Sequence, residues 1–139
     1  MKDLGPAHHI LGMKITKDRT SKWLWLTQSD YVWRILDQLN LATAKPATTP
    51  LPANLRLSLK DSPTSGLEGD HMKFVPYAPT VGSLMYAMVA TRQDIAHVVG
   101  IISSFMHNPG RAHWNVVKHI FRYLVGTKDY GIAFAPDEP

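Results

Sequence analysis

Cysteine is missing from all 139 residues. Its absence removes disulfide staples and thiolate metal sites, and it suits a reducing, intracellular setting, cytoplasmic or nuclear. Long hydrophobic runs are missing too. No stretch of eighteen consecutive apolar residues occurs, so neither a membrane-spanning helix nor a membrane partner is expected. The opening MKDLGPAHH lacks the basic-then-apolar pattern of a secretory signal. Acidic residues are few: 11 Asp and Glu against 15 Lys and Arg give a formal net charge of +4. That balance suits an anionic partner such as nucleic acid, and equally an ordinary basic surface in solvent. No G-x-S-x-G, phosphate-binding loop or G-x-G-x-x-G occurs.

What is present is enough apolar material for a core, 45% of residues, arranged as an α+β chain that is mainly helical. HHILGMKI (8–15) and KWLWLTQ (22–28) read as two strands of a hairpin joined by the polar TKDRTS. Trp23 and Trp25 alternate with Leu24 and Leu26, so both faces of the second strand are apolar and call for a layer on each side. Ser29 has the character of a helix N-cap, with Asp30 favourable in the first turn. Val32, Ile35, Leu36 and Leu39 form one apolar helix face, and the helix is expected to stop near Asn40 because KPATTPLP cannot continue it. Residues 42–76, rich in Pro, Ser and Thr, read as an extended, partly mobile linker.

Residues 77–139 read as a three-helix cluster and a short strand. The first helix, with Pro79 in its first turn, places Val81, Leu84, Met85 and Met88 on its buried face. The second, from about Asp94, buries Ile95, Val98, Val99, Ile102, Phe105 and Met106 and ends at NPG (108–110). The third, from about Arg111 to Val125, buries Trp114, Val117, Phe121 and Leu124, with Gly126 as its C-terminal cap residue. YGIAF (130–134) is a strand without an obvious partner. The expected organisation is therefore a hairpin plus helix (1–41), a linker (42–76) and a helical unit (77–139).

Candidate chemistry is sparse. The carboxylates are scattered, and His107, His113 and His119 recur every six residues, which does not align them on one helix face as a metal pair requires. The expectation is no catalytic residue and no metal site. Basic residues form a clearer pattern. Arg111, Asn115, Lys118 and Arg122 stand at i, i+4, i+7 and i+11 on one side of the last helix, a stripe that can track phosphates or simply face water. Gly82 and Gly100 interrupt helices, at a cost of about 0.5–1 kcal/mol each relative to Ala. Gly82 lies off the core face, four residues before Tyr86. It makes either a notch for a nucleic-acid groove or a close contact with another helix. For Gly100, with Ser103 and Ser104, close helix packing is the expectation.

ILGMKI, LWLTQSDYVWRIL, KPATTPL and the long VPYAPTVGSLMYAMVATRQDIAHVVGIISSFMHNPGRAHWNVVKHIFRYLVGT resemble, in order and spacing, the C-terminal part of the reverse transcriptase in copia-type retrotransposon polyproteins. The resemblance implies that the hairpin belongs to the end of the polymerase palm. Leu11, Gly12 and Met13 are then similar to the element that grips the primer 3′ end. The helix carrying Gly82 and Tyr86 looks like the thumb helix that follows the minor groove of an RNA–DNA or DNA template–primer duplex, with Lys14, Arg111, Lys118 and Arg122 on phosphates. The resemblance further implies upstream palm and fingers and a downstream RNase H domain as partners. The Tyr-x-Asp-Asp motif that holds magnesium in such enzymes does not occur in these residues. This chain alone is expected to be non-catalytic, with magnesium belonging to the complete enzyme. Thr91-Arg92-Gln93-Asp94 stands where the family usually has Thr-Arg-Pro-Asp. The rival expectation is a retained or degenerate transposon fragment serving as a helical protein–protein module.

Overall fold

The structure, a computed structural model, describes residues 9–10, 13–51, 67, 70 and 72–136. Its N-terminal part is a meander. β1 (His9–Ile10) pairs antiparallel with β2 (Met13–Asp18), Ile10 opposite Met13. β2 pairs with β3 (Trp23–Thr27), Thr16 opposite Trp25. The expected single strand over 8–15 is therefore two strands that reverse between Ile10 and Met13. The Asp18 carboxylate shapes the β2–β3 turn by accepting from the Thr20 and Ser21 amides and the Ser21 hydroxyl. Lys22 completes the turn at φ 62°.

α1 (Ser29–Gln38) begins at Ser29 itself; its N-cap is Gln28, and no side chain caps it. Its end shows a local signal. Asn40 takes φ 57°, and the amides of Leu41 and Asn40 donate to the carbonyls of Leu36 (2.8 Å) and Asp37 (3.1 Å). This is the Schellman closure, which needs a left-handed residue that Asn tolerates.

The chain then runs along the last helix instead of away from it. The Ala47 amide donates to the Arg122 carbonyl at 3.1 Å, and Arg122 Nε donates back to the Lys45 carbonyl at 2.9 Å. His119 Nε2 lies 3.0 Å from the Thr49 carbonyl. The described first third of the expected linker is thus a fastened strap.

α2 (Tyr77–Ala90) is followed by a 3-10 turn (Gln93–Ile95), α3 (Ala96–Ser103), α4 (Arg111–Thr127) and β4 (Gly131–Phe134). The helix expected from Asp94 is thus a 3-10 turn leading into a shorter α3. Phe105 lies beyond it, half-buried and stacked on His113 at 4.3 Å, and Met106 is exposed. NPG does mark the break before α4.

Gly126 is not a cap: α4 continues through it to Thr127, with Lys128 as C-cap. Its bare face is needed elsewhere, because a Cβ there would stand 3.2 Å from Pro46 of the strap. β4 finds its partner in β3, giving the sheet order β1-β2-β3-β4. At Gly131 a Cβ would come within 2.1 Å of the Leu26 carbonyl oxygen, so any side chain there forces the β3–β4 backbones to shift.

One core joins the helices. Val32 and Leu36 of α1 pack in the same cluster as Tyr77, Val81 and Leu84, Ile95, Val98 and Ile102, and Val117, Ile120, Phe121 and Leu124. The hairpin-plus-helix and the helical unit therefore share their interior through α1. Tyr77 donates its hydroxyl to the Ile102 carbonyl at 2.6 Å, and burial pushes its pKa up to about 12. Among the described residues no helix is long and apolar enough to cross a membrane.

Candidate nucleic-acid interface

α2 carries no charged residue over its 14 positions. Val81, Leu84 and Ala87 supply its buried side. Gly82, Met85, Tyr86 and Val89 recur at i, i+3, i+4 and i+7 on the opposite side, and all four are exposed. Met85 therefore leaves the buried face on which it was expected. Spacing alone cannot decide between neighbouring positions when nearly every residue of a helix is apolar.

A Cβ added to Gly82 would meet nothing within 4 Å. Among the described residues no helix fills the dent, so close packing does not explain this glycine. The same holds at Gly100, where open space replaces the expected helix contact. Ser103 and Ser104 turn their hydroxyls back to the carbonyls of Gly100 and Ile101 in their own helix.

Tyr86 is held beside the dent from outside α2. Its ring meets Tyr31 of α1 edge to face, with centroids 5.0 Å apart, and the Tyr31 hydroxyl donates to the Ser83 carbonyl at 3.4 Å. Tyr31 is a contributor that the sequence reading missed, because nothing local shows that α1 crosses α2 at this point.

The basic stripe of α4 is only partly open. Arg111 and Asn115 are exposed, whereas Lys118 and Arg122 are half-buried. Arg122 is committed to the strap through the Lys45 carbonyl, so the expected continuous rail is interrupted at its C-terminal half. Lys14 is exposed on β2 and Met13 is half-buried beside it, while Leu11 and Gly12 lie outside the described residues.

A dense polar network among the described residues lies elsewhere. Arg92 is 1% exposed. Its Nε and Nη2 donate to the two Asp94 oxygens at 3.1 and 2.9 Å. Nη1 and Nη2 also reach the Thr127 carbonyl and hydroxyl, each at 2.7 Å. The Tyr123 and Tyr130 rings stand 5.7 and 5.5 Å from the guanidinium carbon. Next to Arg92, Thr91 donates its hydroxyl to the Gln28 side-chain oxygen. The network ties the end of α2 to the end of α4 and to the start of α1.

Burial raises the Asp94 pKa, but the hydrogen bonds from Arg92 and Tyr123 and the Arg92 charge outweigh it, leaving the carboxyl below its ordinary value. Tyr123 moves up, first through burial and then through its bond to Asp94. His113 is likewise structural: fully buried, it accepts the Gly110 amide at 2.7 Å through Nδ1 and so secures the start of α4. Among the described residues no group of three or more His, Asp or Glu side chains could hold a metal ion.

No family model matches the chain, and no solved structure matches it. Curated proteins do. The chain is 54% identical over 139 residues to the retrovirus-related Pol polyprotein from transposon TNT 1-94 of Nicotiana tabacum, an alignment that covers all of this chain and 10% of that protein. It is 37% identical over 134 residues to the retrovirus-related Pol polyprotein from transposon RE1 of Arabidopsis thaliana, covering 95% of this chain and 8% of that one. An uncharacterized mitochondrial protein of Arabidopsis thaliana is 36% identical over 132 residues, covering 95% of this chain and 51% of its own length. The chain thus corresponds to about a tenth of the length of the Pol polyproteins it matches.

Proposed function

We propose that this chain is the end-of-palm and thumb segment of a copia-type reverse transcriptase and that it holds template–primer duplex against the open face of α2. Similarity to transposon Pol polyproteins over the whole chain supports the setting. The observation that carries the duplex reading is the open, uncharged face at Gly82 with Tyr86 beside it. A face without charge suits sugar edges in a minor groove, while phosphates want cations at its margins. Arg111, Asn115, Lys118 and Lys14 are the candidates for those margins. Arg122 is a weaker one, because its Nε is already engaged by the strap. Primer contact by Leu11, Gly12 and Met13 belongs to the same proposal. Other parts of the polyprotein, the palm and fingers and an RNase H domain, would supply the catalytic carboxylates and their magnesium.

Gly82→Leu tests the reading directly. With nothing within 4 Å of an added Cβ, a side chain at this position starts into open space, and replacing a helical glycine adds roughly 0.5–1 kcal/mol of helix stability. The melting temperature is expected to hold or rise while affinity for RNA–DNA hybrid falls several-fold. Wild-type binding is expected to weaken steeply with salt, and Arg111→Ala combined with Lys118→Ala to flatten that slope. Unchanged hybrid affinity in Gly82→Leu would refute the groove contact. That outcome would favour the rival reading, a protein-interaction helix, for which the exposed Met85 and the 71%-exposed Val89 are the supporting features.

A further inference from the structure

Trp33 projects from α1 on roughly the opposite side from Tyr31, two residues away on a helix that turns about 100° per residue. The indole is 46% exposed. Lys128, just past α4, holds its ammonium 4.4 Å from the centre of that ring. The two side chains stand in a cleft of about 380 Å³ that Lys14, Ser29, Asp30 and Asp129 complete. β2, the first turn of α1 and the α4–β4 link thus meet at one aromatic surface.

We propose that this cleft is a subsite for an unpaired nucleotide, with its base stacked on Trp33 and its phosphate taken by Lys14 and Lys128. The proposal rests on the nucleic-acid reading above and extends it from duplex to single strand. The volume falls within the range of small-molecule clefts. An ammonium over a partly exposed ring is a weak contact, and a base offers the indole a larger stacking area. The displaced Lys128 then faces the strand it made room for. Among the described residues neither Lys14 nor Lys128 is in an ion pair.

The carboxylates narrow the ligand. A bare anion would meet Asp30 and Asp129 as well as the two lysines, so attraction and repulsion would nearly cancel. A nucleotide brings an anion for the lysines together with sugar hydroxyl and base-edge donors for Asp129.

The test uses the full chain and three labelled probes: a blunt RNA–DNA hybrid, the same hybrid with a single-stranded overhang, and the single strand alone. Binding is read by fluorescence anisotropy at low salt. The overhang is expected to tighten binding roughly tenfold. Trp33→Ala should abolish that gain and leave blunt-hybrid affinity unchanged, and Trp33→Phe should keep most of it. Circular dichroism checks that the variants fold. Equal affinity for blunt and overhung hybrids, or a gain that survives Trp33→Ala, overturns the subsite while the duplex reading stands. Trp33-dependent binding of the single strand without any binding of the blunt hybrid supports the subsite and refutes the duplex face on α2. Absence of binding by all three probes refutes both.

Discussion

The helical cluster and the sheet are both rich in apolar residues, yet they end in different states. Val81, Leu84, Ile102, Val117, Ile120 and Leu124 are at most 1% exposed. In β2, β3 and β4 every residue is half-buried or exposed, although WLWL supplies four large apolar side chains in succession. Trp23 and Trp25 stack on each other at 5.9 Å, and Trp23 and Phe134 are 37% and 48% exposed. An amphipathic helix needs one partner surface and finds it in the next helix. A strand apolar on both faces needs two layers, and the described residues do not enclose it in that way. Apolar content alone therefore says little about burial; the number of layers that reach a face decides it.

The sharpest way to break this contrast is truncation on each side of it. Phe121→Ala removes a ring that is 2% exposed and is expected to cost about 4 kcal/mol. Leu24→Ala on the half-buried β3 is expected to cost about 1 kcal/mol or less. Urea denaturation followed by far-UV circular dichroism measures both, and similar costs would remove the distinction.

The next effect tests how the helices are tied together. Asp94→Ala leaves the Arg92 guanidinium, 1% exposed, without its counter-charge, and is expected to cost about 3 kcal/mol. The sign of its pH dependence follows from the lowered carboxyl pKa. A depressed folded-state value contributes stability above the unfolded pKa, and that contribution is lost as pH falls through the folded value. Wild type should therefore lose stability with acid below about pH 4 more steeply than Asp94→Asn does. Parallel acid profiles would show that Arg92 draws little from this partner.

A smaller effect than the loss of Asp94 sharpens the sheet side. Gly131→Ala forces a Cβ toward the Leu26 carbonyl and should detach β4 from β3 at a cost of about 1–2 kcal/mol, with the helical core intact. Hydrogen exchange should show lost protection in 131–134 and in 24–27 while α2 and α4 stay protected. Loss of protection throughout would mean that the sheet and the helices unfold as one unit.

Much of this was legible because the relevant chemistry is local. The apolar face of α1 is set by the 3.6-residue repeat, and NPG carries its own stop signal. The β3 alternation announced a strand with two apolar faces. The roles of single glycines were not legible. Gly126 has the look of a helix terminator and is instead the bed for Pro46, a residue 80 positions away in sequence. Gly100 suggested a helix contact and faces open space. Arg92 carries no local signal of burial, since its partners Thr127 and Tyr123 are brought to it only by the packing of α4. Of the proposed interface, Gly82 and Tyr86 could be picked out by their offset from the core face. Tyr31, Trp33 and Lys128 could not, because their neighbours come from other elements.

The sequence by itself determined the broad placement of most helices and strands, the main core-seeking residues of the helices, and that charge leans positive. It did so because hydrogen-bond periodicity, proline and left-handed asparagine act within a few residues. Only the tertiary structure decided that α1 shares the helical core, that the strap lies along α4 and occupies Arg122, and that Gly82 is left open. Those outcomes depend on which surfaces meet across dozens of residues, and the volume left between packed elements is not encoded in any one of them.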